Sequence, residues 1–253
     1  MSNPPRRRLD AEMVRRGLSG SRTDAARAIE SGKVLVNGAV AEKPARLVHA
    51  GDAVVLTEPA RYVSRGGEKL EGALVAFGLD VRGLRVLDAG ASTGGFTDCL
   101  LQHGAAHVVA LDVGHGQLHP RIRSDERVTV IERFHVRDAT PETIGGFVDI
   151  VTADLSFISV TRVLAALVGV CRPGGSLVLL VKPQFEAGRV EVSRGQGIIT
   201  DPAIHERVRA EVQDALAAAG CAVVAWTDSP ITGGDGNREF LVHAVAERAG
   251  FSG

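Results

Sequence analysis

The stretch Leu84-Arg85-Val86-Leu87-Asp88-Ala89-Gly90-Ala91-Ser92-Thr93-Gly94-Gly95-Phe96 joins a buried-strand run, a glycine-rich turn and the start of a helix. Open α/β sheets bind ligands beyond the carboxyl ends of their strands at such turns, where glycines let a ligand approach the backbone closely. The spacing D-x-G-x-x-x-G-G departs from the G-x-G-x-x-G of dinucleotide enzymes, and no G-x-x-x-x-G-K-[ST] phosphate loop occurs. An acid leading into the turn suits a cation better than a pyrophosphate, because Asp88 can face an ammonium group. Further along, Val108-Val109-Ala110-Leu111-Asp112 ends a second strand in a carboxylate placed to accept from a ribose diol, with Val113 beside it. An ammonium next to a ribose is what S-adenosylmethionine would present.

Four more polar residues fall where a sheet rim would gather them. Asp154 follows Val148-Asp149-Ile150-Val151-Thr152-Ala153, Lys182 follows the run from Leu177 to Val181, Glu239 opens the last strand, and Lys69 lies on the helix before the first strand. Two amines and two acids around a weakly acidic hydroxyl favour transfer to its oxygen, since a base placed next to it can take the proton as the bond forms. Lys182 in its neutral form could be that base. Asp154 and Glu239 favour the charged lysines and so would orient them.

The elements that must hold these residues read as alternating strands and helices from Leu84 onward, the pattern of βαβ units and a parallel sheet. Strands are expected near 85–88, 107–112, 128–131, 148–153, 176–181, 221–226 and 239–244, which makes a seven-stranded, mostly parallel Rossmann-like sheet in an α/β domain. A helix is expected from about Gly67 to Phe77, and another from an Asp201 cap and Pro202 to Gly220. Residues 187–199, rich in Gly and Arg, form either a substrate-gripping lid or an ordinary connector.

The first 60 residues have a different character, that of a small α+β domain. Leu9, Met13 and Val14 have helical spacing; Ser21-Arg22-Thr23-Asp24 starts a second helix; and Val34-Leu35-Val36 runs into an Asn37-Gly38 hairpin turn, with Val54-Val55-Leu56 as the closing strand. Residues 1–62 carry 11 Lys+Arg against 7 Asp+Glu, leaving 18 against 23 for the remainder of a 253-residue chain whose net charge is -1. A basic head on an acidic body points to a polyanion partner. Arg6, Arg15, Arg16, Arg22, Arg27, Lys33 and Arg65 are the candidate RNA-binding cations. The expected division is therefore 1–60, a linker over 61–66 that follows the strand-breaking Pro59, and 67–253.

Cys99, Cys171 and Cys221 have no C-x-x-C spacing, and the histidines, His115 and His119 among them, show no metal pattern, so neither a disulfide framework nor a metal site is expected. No apolar run approaches a membrane span and none follows the early arginines as in a signal peptide, which points to a cytoplasmic protein without a membrane partner.

Two resemblances sharpen these readings. Arg8-Leu9-Asp10, Gly17 to Ala25, Gly32 to Gly38 and Val48 to Asp52 resemble the alpha-L RNA-binding domain named after a small-subunit ribosomal protein. Asp88 to Phe96, Asp154-Leu-Ser-Phe157, Lys182-Pro-Gln-Phe-Glu186 and Gly236-Asn237-Arg238-Glu239 resemble the TlyA family, a branch of the FtsJ-like rRNA 2'-O-methyltransferases. The resemblance places Lys69, Asp154, Lys182 and Glu239 on that family's K-D-K-E tetrad, and His135 and Val136 beside the adenine. Asp154 then also borders the cofactor, with Gly90, Ser92, Thr93, Gly94, Gly95 and Phe96 as the binding turn. His135 departs from the amide or acid usual there, although a neutral imidazole can still accept from an adenine amine. It also implies cytidine methylation in small-subunit rRNA, large-subunit rRNA or both, with ribosomal subunits as partners. The alternatives are a base amino-directed methyltransferase, whose Asp/Asn-Pro-Pro-aromatic motif lacks its prolines here; an RNA-binding module with an inactive Rossmann domain; and a membrane-active haemolysin, a label the family sometimes carries.

Overall fold

The Asn37-Gly38 turn shows how closely local sequence dictates the first part of the chain. Both residues adopt positive φ, 53° and 83°, as a two-residue hairpin requires. The Asn37 side chain donates to Asp52 and accepts from the Ala53 amide, which ties this turn to the next. The computed structural model describes residues 6–58 and 61–247, so Pro59 and Ala60, just ahead of the expected 61–66 linker, lie outside it.

Two compact units divide at Ser64 and Arg65. The first contains β1 (Arg7–Arg8), α1 (Leu9–Arg15), α2 (Arg22–Glu30), β2 (Val34–Val36), β3 (Ala39–Val40), β4 (Leu47–Val48) and β5 (Val54–Leu56). β2 is the centre of a sheet ordered β3-β2-β5, and β1 pairs with β4. Ser21 caps α2 by accepting from the Asp24 amide. The two helices bury Leu9, Met13, Ala25 and Ile29 against Val34, Val36, Val48 and Val54.

The second unit is built from α3 (Gly66–Phe77), β6 (Arg85–Ala89), α4 (Gly95–Gln102), β7 (His107–Asp112), α5 (Pro120–Arg123), β8 (Val128–Glu132), α6 (Pro141–Ile144), β9 (Val148–Ala153), α7 (Leu164–Val170), β10 (Cys171–Val181), α8 (Pro183–Glu186), α9 (Arg189–Arg194), α10 (Pro202–Ala218), β11 (Cys221–Asp228) and β12 (Phe240–Ala246). Its seven strands are ordered β11-β12-β10-β9-β6-β7-β8. β12 runs antiparallel to both neighbours, and the pairs from β10 to β8 are parallel. The central strands are apolar on both faces because helices cover both sides, so Leu87, Val109, Val151, Leu177, Leu179 and Val242 are fully buried. The chain is thus α/β with a Rossmann-like sheet and a small α+β unit ahead of it.

Three details depart from expectation. The last strand begins at Phe240, leaving Glu239 just outside its mouth. β10 starts at Cys171, with an irregular register before Ser176 where Gly174 takes φ 80°. Residues 187–199 are not continuous loop: the helix α9 occupies part of them, begun by the Gly188 amide donating to Glu191, and Glu191 pairs with Arg207 on α10 at 2.6 Å.

Candidate active site

Strand register brings the polar residues to one rim. Ala89 on β6 pairs with Ala153 on β9, so Gly90 and Asp154 are the next positions on adjacent strands. Val181 on β10 pairs with Phe240 on β12, so the same step places Lys182 and Glu239 side by side. Because β12 is antiparallel, its beginning lies at the rim where the parallel strands end.

Each amine meets an acid there. Lys182 Nζ lies 2.5 Å from Asp154 Oδ1, donates to Ser156 Oγ at 3.2 Å and sits 5.7 Å from the centre of the Phe185 ring. Lys69 Nζ donates to Glu239 Oε2 at 2.5 Å, and both residues are buried. α3 can present Lys69 so closely because Gly72, one turn on, has no side chain: a Cβ there would meet Pro230 Cγ at 2.8 Å. Gly233 likewise leaves room for the Glu239 carboxylate, which a Cβ would meet at 2.5 Å. Asn237, buried in the same loop, accepts from the Ile199 amide and donates to the Gly197 carbonyl, which fixes the far end of the 187–199 segment.

A cavity of about 550 Å³ opens beside Asp154, within the range of small-molecule sites. Gly90, Ser92, Asp112, Val113, His135 and Val136 line it as expected. Gly90 cannot be replaced there without displacing the backbone, since a Cβ would lie 2.5 Å from the Asp154 carbonyl oxygen. Asp112 accepts from the Ser92 and Gly114 amides at 2.7 and 2.6 Å, which aims its carboxylate while leaving lone pairs for a diol.

The remaining predicted cofactor residues lie behind this wall. Asp88, Thr93, Gly94, Gly95 and Phe96 do not line the cavity. Asp88 is fully buried and turned toward α4, where Oδ2 accepts from Thr97 Oγ1 at 2.6 Å; Oδ1 has no hydrogen-bond partner among the described residues. Desolvation pushes this carboxyl up to about 7, against the pull of the Thr97 hydroxyl, and the charges of Asp154 and Asp112 add to the rise. The charges of Asp154 and Asp112 thus act on a buried acid whose Oδ1 has no hydrogen-bond partner among the described residues, and a nearby cation would relieve that repulsion. The donor set fits a ribose-bearing ligand with an ammonium and a sulfonium; Asp112, Asp154 and the Gly90 turn are the residues that would hold it.

Gln117, Phe134, Arg137 and Ile158 also line the cavity without having been singled out, and Leu155, Ser156 and Phe157 line it as members of the Asp154-Leu-Ser-Phe157 motif. Phe157 stands out among them: the residue is 92% exposed, its φ is 66°, and its ring lies 5.4 Å from the Phe185 ring. Only the D-x-x-F spacing hinted at it.

The cations of the first unit are not a bare patch. Asp10 and Glu12 are buried. Arg15 and Arg16 pair with Glu12 at 2.6 and 2.7 Å, Arg22 with Asp10 at 3.1 Å, Arg27 with Asp24 at 3.8 Å and Lys33 with Glu58 at 2.7 Å. Arg16 also donates to the Asp52, His49 and Ala50 carbonyls, bracing the turn after β4. Arg6 donates to His49. Arg65, in the second unit, donates to the Thr232 carbonyl at 3.4 Å. The side chains of Arg15 and Arg22 are still more than half exposed and keep free donor edges.

Comparison with known proteins agrees with both units. The model of the FtsJ-like methyltransferase family matches residues 62–246, and that of the S4 domain matches residues 7–54. A Mycobacterium tuberculosis protein named 16S/23S rRNA (cytidine-2'-O)-methyltransferase TlyA is 51% identical over 94% of this chain and 89% of its own. A Brachyspira hyodysenteriae protein named Hemolysin A is 41% identical over 94% of this chain and 99% of its own. The solved structure of a Streptococcus thermophilus protein provisionally named a hemolysin superposes with a TM-score of 0.78 at 42% identity, covering 97% of this chain and 90% of that one. Among the described residues, no helix is long and apolar enough to cross a membrane.

Proposed function

The chain belongs to the FtsJ-like methyltransferase family, and on that premise we propose that it moves a methyl group from S-adenosylmethionine to the ribose 2'-hydroxyl of a cytidine in 16S rRNA, 23S rRNA or both. The observation that carries this reading is the register that puts Lys182, Asp154 and Glu239 on one rim, with Lys69 held to Glu239. Bound beside Gly90, the cofactor supplies an electrophilic methyl.

The protein's own part is to bring a hydroxyl to that methyl and remove its proton. Lys182 is fixed by Asp154 and Ser156, so a 2'-oxygen arriving at Asp154 meets an amine whose direction is already set. As the O–CH3 bond forms and the S–CH3 bond breaks to leave a thioether, the hydroxyl proton passes to Lys182 in its neutral form, which Asp154 and Ser156 orient. Lys69 and Glu239 keep the neighbouring charge balanced. Phe157 offers an exposed aromatic face on which a base swung out of its stack can rest. The first unit supplies phosphate contacts through the outer edges of Arg6, Arg15, Arg22, Arg27 and Lys33. Ribosomal RNA as substrate places the enzyme in the cytoplasm.

Labelled methyl transfer to each isolated ribosomal subunit, followed by alkaline hydrolysis, tests this. Ribose methylation leaves one phosphodiester bond resistant to alkali at the modified cytidine. A labelled base that remains alkali-sensitive would establish the amino-directed reaction instead.

A further inference from the structure

The short helix after β10 meets the loop after β9 at three points. Lys182, just before α8, reaches Asp154 and Ser156. Phe185 lies against Phe157. Glu186 holds the far end: Oε2 accepts from Ser159 Oγ at 2.5 Å, and Oε1 accepts from the Val160 amide at 2.8 Å. Positions three and four apart fall on one face of a helical turn, so a single turn of backbone grips the loop with an amine, a ring and a carboxylate in succession.

The loop needs such a grip. Leu155, Ser156, Phe157 and Ile158 form one wall of the cofactor cavity, and Phe157 sits at φ 66°, a conformation that a bulky residue keeps only when its surroundings impose it. Its own ring, almost wholly exposed, contributes little anchoring. The hydroxyl and backbone N–H held by Glu186 lie two and three residues further on, where they can hold that conformation. Burial raises the Glu186 carboxyl above its ordinary value, and the Ser159 hydroxyl and Val160 amide draw it back, as expected of a partly desolvated acid with two committed donors.

We propose that Glu186 is a positioning residue of the methyl-transfer site: its carboxylate locks residues 155–160 onto the turn after Lys182, so that the cofactor wall and the Phe157 ring keep register with the amine. Glu186 acts through Ser159 and Val160, and the proposal rests on the methyl-transfer reading above.

The test is a mutant cycle on the full chain with two readouts, calorimetric affinity for S-adenosylhomocysteine and kcat for rRNA 2'-O-methylation. Glu186→Ala weakens the analogue about 10-fold and lowers kcat about 30-fold, because two hydrogen bonds to a charged acceptor are lost. Glu186→Gln, whose amide oxygen still accepts from Val160, recovers most of both. In a Phe157→Ala background the kcat cost of Glu186→Ala shrinks to under about 3-fold, since the ring to be held is gone. Unchanged analogue affinity in Glu186→Ala, or equal kcat losses in the two backgrounds, overturns the proposal. If Glu186→Ala fails to fold, Glu186→Gln carries the cycle: a loss of about 3-fold that disappears with Phe157→Ala supports it, and a loss that persists overturns it. Calorimetry needs no RNA, so a wild-type chain that binds the analogue but leaves rRNA fully alkali-sensitive refutes the proposed reaction and leaves the Glu186 result readable.

Discussion

Two amine–acid pairs stand at the rim of the sheet with the same 2.5 Å separation, yet their surroundings differ. Asp154 lines the cavity and its side chain keeps 21% of its surface open, with Lys182, 9% exposed, as its partner. Lys69 and Glu239 are enclosed by α3 and the loop through Gly233, with only 2% of the Glu239 side chain exposed. An open pair can trade its partner for an arriving hydroxyl. A closed pair can do so only if the helix moves, and separating its members strands a charge out of water. We read the more exposed pair as the one that can react and the enclosed pair as its frame, a division that substitution of each lysine tests.

The largest expected effect tests the reacting couple. Lys182→Ala lowers methyl transfer by about 10³-fold while S-adenosylhomocysteine binds within a few-fold of wild type, the pattern of a lost acid–base group. Labelled transfer and calorimetry read the two quantities, and full activity would remove Lys182 from the mechanism. Lys69→Ala tests the framing couple and acts on stability first: stranding Glu239 costs about 3 kcal/mol in a denaturant melt. Lys69→Ala with wild-type stability but no activity would show both pairs to be of one kind. Gly72→Ala is milder, about 1–2 kcal/mol, as its new methyl presses on Pro230 and shifts α3. Its kcat falls while cofactor affinity holds.

Asp88 extends the comparison as an acid without an amine. With its carboxyl near 7, the folded protein holds a proton there that the unfolded chain releases near pH 4, so this residue's contribution to stability falls as pH rises through that window. A cation beside it reverses the preference. Affinity for S-adenosylhomocysteine therefore rises between about pH 5.5 and 7.5, and binding near pH 7 releases a fraction of a proton. Calorimetry in buffers of different ionisation enthalpy measures this smallest effect. The Asp88→Asn variant should remove it, and a persisting release would assign the proton to another group.

Legibility followed the range of the forces involved. The strands from β6 to β9 and the caps at Ser21 and Asp201 could be read because apolar runs and capping hydrogen bonds are set by neighbours in sequence. β1 and β4 could not, since each two-residue strand exists only through pairing across 40 positions. Lys182 and Asp154 were legible as strand ends. Phe157 was legible only as the last position of a D-x-x-F motif, since its exposure and positive φ belong to a loop that Glu186 and Lys182 meet from another element. The arginines of the first unit looked like a bare cationic face because nothing local shows that Asp10 and Glu12 are buried beneath them. A small domain with few core residues uses its charges for structure as well.

The position of β12 has a consequence for biosynthesis. Among the described residues it is the last strand of the sheet to be made, yet it inserts between β10 and β11 and is the strand with which β11 pairs. A nascent chain halted before Glu239 would leave β10 with an unpaired edge, β11 without a partner and Lys69 without its acid. Competence for methyl transfer would then arrive in one step as the last strand leaves the ribosome.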